Sequence, residues 1–200
     1  HDFHFSSDVL IEPTTENTLL GDDFNTGESA NFFDSEGAWS IGTVDSANSA
    51  YMIYPTDTDG EFYYINDDNS YYYYNYISTS AILQSQAILY DPDNTGGGPI
   101  FFILDMYFLN AGGDCSIGNW YSEDASIVVS TDNGATWTKI DSTFATSLGS
   151  YSDYYSYDIP AFDMEDANWH TLMYNITPYI EPGIFNVGVH YDDCGGNWGY

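Results

Sequence analysis

Arginine is absent from the chain and lysine occurs once, as Lys139, against 31 Asp and Glu, for a formal net charge of -30. A binder of nucleic acid or of an anionic membrane must neutralise phosphates with Lys and Arg, so neither is an expected partner. No stretch of eighteen apolar residues occurs, so no helix is expected to insert into a bilayer. Helix signals are nearly missing as well. No window repeats apolar residues at i, i+3, i+4 and i+7 over three turns, and Lys, Arg and Gln are scarce. There is no G-x-S-x-G, no H-E-x-x-H and no phosphate loop. A carboxylate pair for glycoside hydrolysis cannot be singled out among 31 acids, because abundance without spacing carries no information. The expectation is a protein that is not an enzyme. The start, His1-Asp2-Phe3-His4-Phe5, lacks the basic and apolar regions of a signal peptide, so the numbering is expected to begin after processing or inside a larger chain.

What is present is apolar mass. The 200 residues are 43% hydrophobic and include 20 Tyr, 12 Phe and 5 Trp, far more than a disordered acidic tail carries. That length fits one domain with a real core. A compact body with so much charge of one sign repels itself unless ions relieve it. Screening shortens from about 8 Å at ~0.15 M salt to about 3 Å at ~1 M. A saline or calcium-rich extracellular setting supplies the remedy, so the expected location is secreted or cell-surface. In that setting Cys115 and Cys194, both in Gly-rich polar stretches, would pair as a disulfide. Closing so long a loop is worth roughly 4 to 5 kcal/mol at best. Two separate buried thiols are the plainer alternative.

Alternation and short apolar runs dominate the chain. Strands are expected at 8–12, 38–41, 49–54, 81–89, 100–109, 125–130, 136–140, 169–175 and 184–191, separated by Gly, Asn, Asp and Pro. That pattern is an all-β chain forming a two-sheet antiparallel β-sandwich. The run 100–109 is nearly all apolar and reads as a central strand covered on both faces. The run 184–191 reads the same way, with Gly188 where something packs closely. The Tyr-rich tract 71–76 reads as a strand with one wet face.

Ser130-Thr131-Asp132-Asn133-Gly134-Ala135-Thr136-Trp137 fits the Asp-box pattern S-x-D-x-G-x-x-W, with Asn-Gly set for a tight turn between two strands. Its physics is local: Ser130 and Asp132 bind turn amides, Gly134 takes positive φ, and Trp137 packs beneath the hairpin. Sialidases carry several copies and an arginine cluster, whereas this chain has one copy and no arginine. The box is read as structural, and Asp91-Pro92-Asp93-Asn94 as a turn.

Six segments in order carry a resemblance over residues 20–200. They are Leu20-Gly21-Asp22-Asp23-Phe24, Gly37-Ala38-Trp39, 81–88, 125–137, 169–176 and 189–199. Together they resemble the bacterial choice-of-anchor J and cleaved-adhesin domains, which are similar to the MAM domain in their jelly-roll architecture. The resemblance implies a secreted or surface β-sandwich module, often calcium-binding, used in adhesion or beside extracellular enzymes. Family members usually continue past Gly-Trp-Gly into a further strand, whereas this chain stops at Tyr200. The expected organisation is an N-terminal extension or edge strand at 1–19 and one jelly-roll domain at 20–200, read as lacking its last strand. A sandwich short of an edge strand invites one from a neighbour, which makes assembly into a fibre a natural extension.

Calcium is the cofactor with a physical argument, because hard cations want six to eight oxygens and acidic pairs in Gly-rich loops supply them. Asp22 and Asp23 match the family's acidic pair, and Asp192 with Asp193 forms a second pair near Cys194. Trp120, Tyr121, Trp198 and Tyr200 flank the two cysteines, and their flat rings would suit sugar stacking. His1 lacks the second His on a flat face that a copper clamp requires, and His170 and His190 read as strand residues. The expected function is a non-catalytic adhesion or structural module whose partners are copies of itself or surface proteins. The alternative is a calcium-dependent carbohydrate-binding module, with glycans as partners, accessory to a secreted enzyme.

Overall fold

The computed structural model describes residues 18–22, 24, 29–43, 60–65, 80–94, 97–106, 124–141 and 170–192. Among these the chain is all-β and every strand pairing is antiparallel. Ten strands follow in order: β1 Phe32–Asp34, β2 Trp39–Gly42, β3 Phe62–Ile65, β4 Ser80–Ser85, β5 Ile88–Tyr90, β6 Phe101–Met106, β7 Asp124–Ser130, β8 Thr138–Asp141, β9 His170–Asn175 and β10 Gly183–Asp192. A 3-10 turn, Thr177–Tyr179, joins β9 to the approach to β10.

The main sheet has six strands in the order β1-β4-β10-β7-β8, with β5 also paired to β10. The last described strand, β10, is therefore inserted between β4 and β7 rather than added at an edge. Its sequence explains why. Phe185, Val187, Val189 and Tyr191 alternate onto one face and are buried there, while Asn186 and Gly188 are buried on the other. A strand that hides both faces belongs in the middle of a sheet. Gly188 has no room for a side chain: a Cβ would lie 2.8 Å from the Leu83 carbonyl oxygen and 2.9 Å from Ile82 Cγ2. The close packing expected at that glycine is what the structure has.

The run 81–89 is not one strand. Phe185 pairs with Ile88 and Gly188 with Gln84, so two residues of β10 face three on the other side, and the extra residue makes a bulge between β4 and β5. Side chains take over the broken ladder. Ser85 Oγ accepts the Val187 amide at 3.0 Å, and the Ser85 carbonyl accepts Asn186 Nδ2 at 3.0 Å. From the other side the Gln86 amide donates to the Asn31 carbonyl at 2.7 Å.

Two smaller ladders complete the layers, β2 with β3 and β6 with β9. Phe102 and Leu104 of β6, with Leu172 and Tyr174 in register opposite, pack into the same apolar cluster as Phe32, Leu83, Ile127, Val129, Phe185 and Val187. Trp39, Ile41 and Tyr63 of the β2–β3 ladder join it. One apolar cluster is thus shared by the six-stranded sheet and both ladders. The expectation for β6 needs correcting. It pairs only with β9 among the described residues, and its outer face shows Phe101 exposed, with Ile103 in register with exposed Met173. Its apolar run buries one face, not two.

The hairpin at 130–137 is present in a longer form than two residues. Val129 pairs with Thr138, and Asn133 and Gly134 take successive left-handed φ of 61° and 84° inside the loop between them. Gly134 N donates to Ser130 Oγ at 2.8 Å, and Thr136 N donates to Asp132 Oδ1 at 2.8 Å. The start expected for β8, at 136, was two residues early because Thr136 belongs to this loop. The turn expected at Asp91 is also found: Asp93 N donates to Asp91 Oδ1 at 3.1 Å and Asn94 N to the Asp91 carbonyl at 3.0 Å. The strands expected at 8–12 and 49–54, and the Tyr-rich tract 71–76, lie outside the described residues.

Candidate functional site

The most organised polar cluster gathers where the chain enters β1. Leu19 and Leu20 pack on the core and bring the following Gly21-Asp22 to its rim. Asp22 Oδ1 accepts the Phe24 amide at 2.9 Å, an Asx-type turn, and Asp22 Oδ2 accepts the Ser29 hydroxyl. Ser29 Oγ in turn accepts the amides of Asn31 at 3.1 Å and Phe32 at 2.8 Å. Asn31 Nδ2 donates to the Gly21 carbonyl at 2.8 Å, and Asn31 Oδ1 accepts Gln86 Nε2 at 2.9 Å. The loop is thereby tied to β1 and, through Gln86, to the bulge of the main sheet.

Phe24 is held at φ 56°, a left-handed conformation that a bulky side chain enters at a cost of roughly 1–3 kcal/mol. Its ring offsets that cost by burial, meeting Phe32 edge-on at 5.9 Å and Tyr63 at 5.1 Å. The Tyr63 hydroxyl donates to the Phe32 carbonyl at 3.2 Å. Burial pushes the ionisation of this phenol above its usual range. The carboxylates of Asp22 and Asp34 push the same way, and a hydrogen bond with Ser29 offsets part of the rise. Asp34 itself binds the amides of Glu36 at 2.8 Å and Trp39 at 2.7 Å, which turns the chain from β1 into β2.

This arrangement orders backbone and concentrates negative charge. Among the described residues each Asp22 oxygen accepts one hydrogen bond, of the about four that a carboxylate can take. The Asp22 carboxylate, the Ser29 hydroxyl and the Gly21 carbonyl gather hard oxygens here, the ligand type that Ca²⁺ prefers. Asp23, the other half of the expected pair, lies outside the described residues, and no group of three or more His, Cys, Asp or Glu able to hold a metal occurs among those described.

The second expected pair is also half described. Asp192 ends β10 in register with Asp124 and Ser80, and Asp193 falls outside the described residues. Two residues earlier, His190 Nε2 lies 3.0 Å from Ser80 Oγ. Trp120, Tyr121, Trp198, Tyr200, Cys115 and Cys194 all lie outside the described residues. Of the expected site residues only Asp22 and Asp192 are described, Asp22 ahead of β1 and Asp192 at the end of β10. The residues of this cluster that sequence reasoning missed are Ser29, Asn31, Asp34 and Tyr63. Ser29 followed by Asn31 just before an aromatic strand carried a local turn signal that could have found the first two; Tyr63 arrives only through folding.

No protein-family model, curated protein or solved structure matches the chain.

Proposed function

We propose that the chain is a non-catalytic extracellular adhesion or structural module, built as a two-sheet jelly-roll sandwich and stabilised by Ca²⁺ in its acidic loops. The observation that carries this reading is the single apolar cluster shared by the six-stranded sheet and both ladders, ringed by carboxylate-ordered loops. The described loops ahead of β1, between β1 and β2 and between β7 and β8 are fixed by their own Asp, Ser and Asn side chains, which suits a display scaffold. The choice-of-anchor J and cleaved-adhesin resemblance supports the same reading, as does the charge of -30, which favours a cation-rich exterior. Asp22 with Asp23 and Asp192 with Asp193 are the proposed calcium residues, and copies of the chain or surface proteins are the proposed partners.

Thermal unfolding with Ca²⁺ and then with chelator tests the metal, since an ion bound only by the native state raises its stability by mass action. The expected result is a Tm raised by Ca²⁺, returned by chelator and insensitive in Asp22→Asn, with no turnover of polysaccharides. Saccharide binding on a glycan array that disappears in Trp120→Ala or Trp198→Ala would replace adhesion with carbohydrate recognition.

A further inference from the structure

The two most exposed large apolar side chains on the described surface are neighbours by strand register. Leu89 of β5 is 67% exposed and Ile184 of β10 is 52% exposed, and the two stand directly opposite each other. Their alternating neighbours Ile88, Tyr90 and Phe185 are buried, so Leu89 and Ile184 share the outward face of the ladder. Two exposed branched aliphatic side chains set side by side are apolar area that water disfavours, at about 25 cal/mol per Å².

Acidic residues rim that pair. Tyr90 pairs with Gly183, and beyond this last rung the two chains continue as Asp91-Pro92-Asp93 and, on the other side, Pro182-Glu181. At about 3.3 Å per residue, Asp91 lies some two residues from Leu89 and Glu181 three from Ile184, within the reach of a partner's lysine or arginine side chain. Asp93 and Glu181 are exposed. The Asp91 turn fixes the backbone that carries Asp91 and Asp93 through the bonds from Asp93 N and Asn94 N.

We infer that the Leu89–Ile184 end of the main sheet docks a cationic amphipathic segment of another protein, its apolar side chains on that pair and its Lys or Arg beside Asp91, Asp93 and Glu181. A second copy cannot meet this demand, because each copy carries one Lys, no Arg and a charge of -30. The inference rests on the adhesive reading and names the partner's chemistry.

The probe is a synthetic peptide alternating Lys and Val, titrated against the whole chain beside an oligolysine of equal charge. The alternating peptide is expected to bind about tenfold more tightly than oligolysine. In Leu89→Thr/Ile184→Thr that advantage disappears, while Asp93→Asn/Glu181→Gln weakens both peptides. Threonine suits an exposed strand position, and an unchanged Tm shows that the variants fold. Equal binding of the two peptides, or an advantage that survives the threonine variant, overturns the inference in favour of general polyanion attraction. Self-association in sedimentation that the threonine variant abolishes overturns it in favour of a second copy. Failure of the titration leaves the calcium and glycan readouts standing, and saccharide binding sinks the adhesive reading without altering the peptide result.

Discussion

Asp132 shows how far one exposed side chain can organise a loop. Its carboxylate accepts the Thr136 hydroxyl at 2.6 Å, the Thr136 amide at 2.8 Å and the Ser130 hydroxyl at 2.8 Å, and these bonds, Thr136's first, lower its pKa to about 2. A depressed folded value means that the stabilisation is complete above the ordinary 3.8 and is lost as pH falls through about 2. Carboxyl chemical shifts followed by NMR should therefore show Asp132 titrating below the ordinary 3.8, and Asp132→Ala should lower Tm at neutral pH while flattening its fall in acid. Tyr63 behaves in the opposite sense. Its raised ionisation means that stability is retained up to the ordinary phenol value of 10.0 and declines as pH rises beyond it. Ultraviolet titration of tyrosinate should lose a component above 10.0 in Tyr63→Phe. The Asp132 network was legible in the sequence because all its partners lie within four residues, whereas the acids that perturb Tyr63 come from Asp22 and Asp34, distant in the chain.

At the scale of elements, the bulge between β4 and β5 and the glycine opposite it fix the register of the central strand. Ser85→Ala removes the acceptor of the buried Val187 amide, and an orphaned buried donor costs about 1–3 kcal/mol. Gly188→Ala drives a methyl against the Leu83 backbone, and overpacking of that kind costs typically about 1–3 kcal/mol. Urea unfolding of both variants should show lower midpoints with unchanged slope. Strand positions at β2, β7, β9 and β10 were readable from alternation. β1 was missed because three residues carry too little periodicity, and β3 because Phe62-Tyr63-Tyr64-Ile65 does not alternate between apolar and polar as the equally short β2 does. The break at Gln86-Ala87 was missed because its cause is Asn31 and Asn186, which the chain delivers from elsewhere.

For the molecule as a whole, charge of one sign sets the dependence on solution conditions. With a formal charge of -30, self-repulsion opposes compaction, and added salt screens it. Tm is expected to rise steadily with NaCl, most steeply at low ionic strength, with no threshold concentration; calorimetry across a salt series checks this. A Tm that falls with salt would mean that attractive pairs, for which Lys139 is the one Lys or Arg available, outweigh the repulsion.

Composition and period by themselves determined the all-β class, the antiparallel tendency, the Asp-box loop and the polyanionic surface, since each depends on residues close in sequence or on totals. Tertiary structure decided the rest. It placed β10 between β4 and β7, turned one face of β6 outward, surrounded Asp22 with Ser29, Asn31 and Tyr63, and left Leu89 beside Ile184 in the open. These outcomes depend on which distant strand supplies the neighbouring backbone. Alternation states that a strand has two faces, and only the partners brought by folding determine which face meets water.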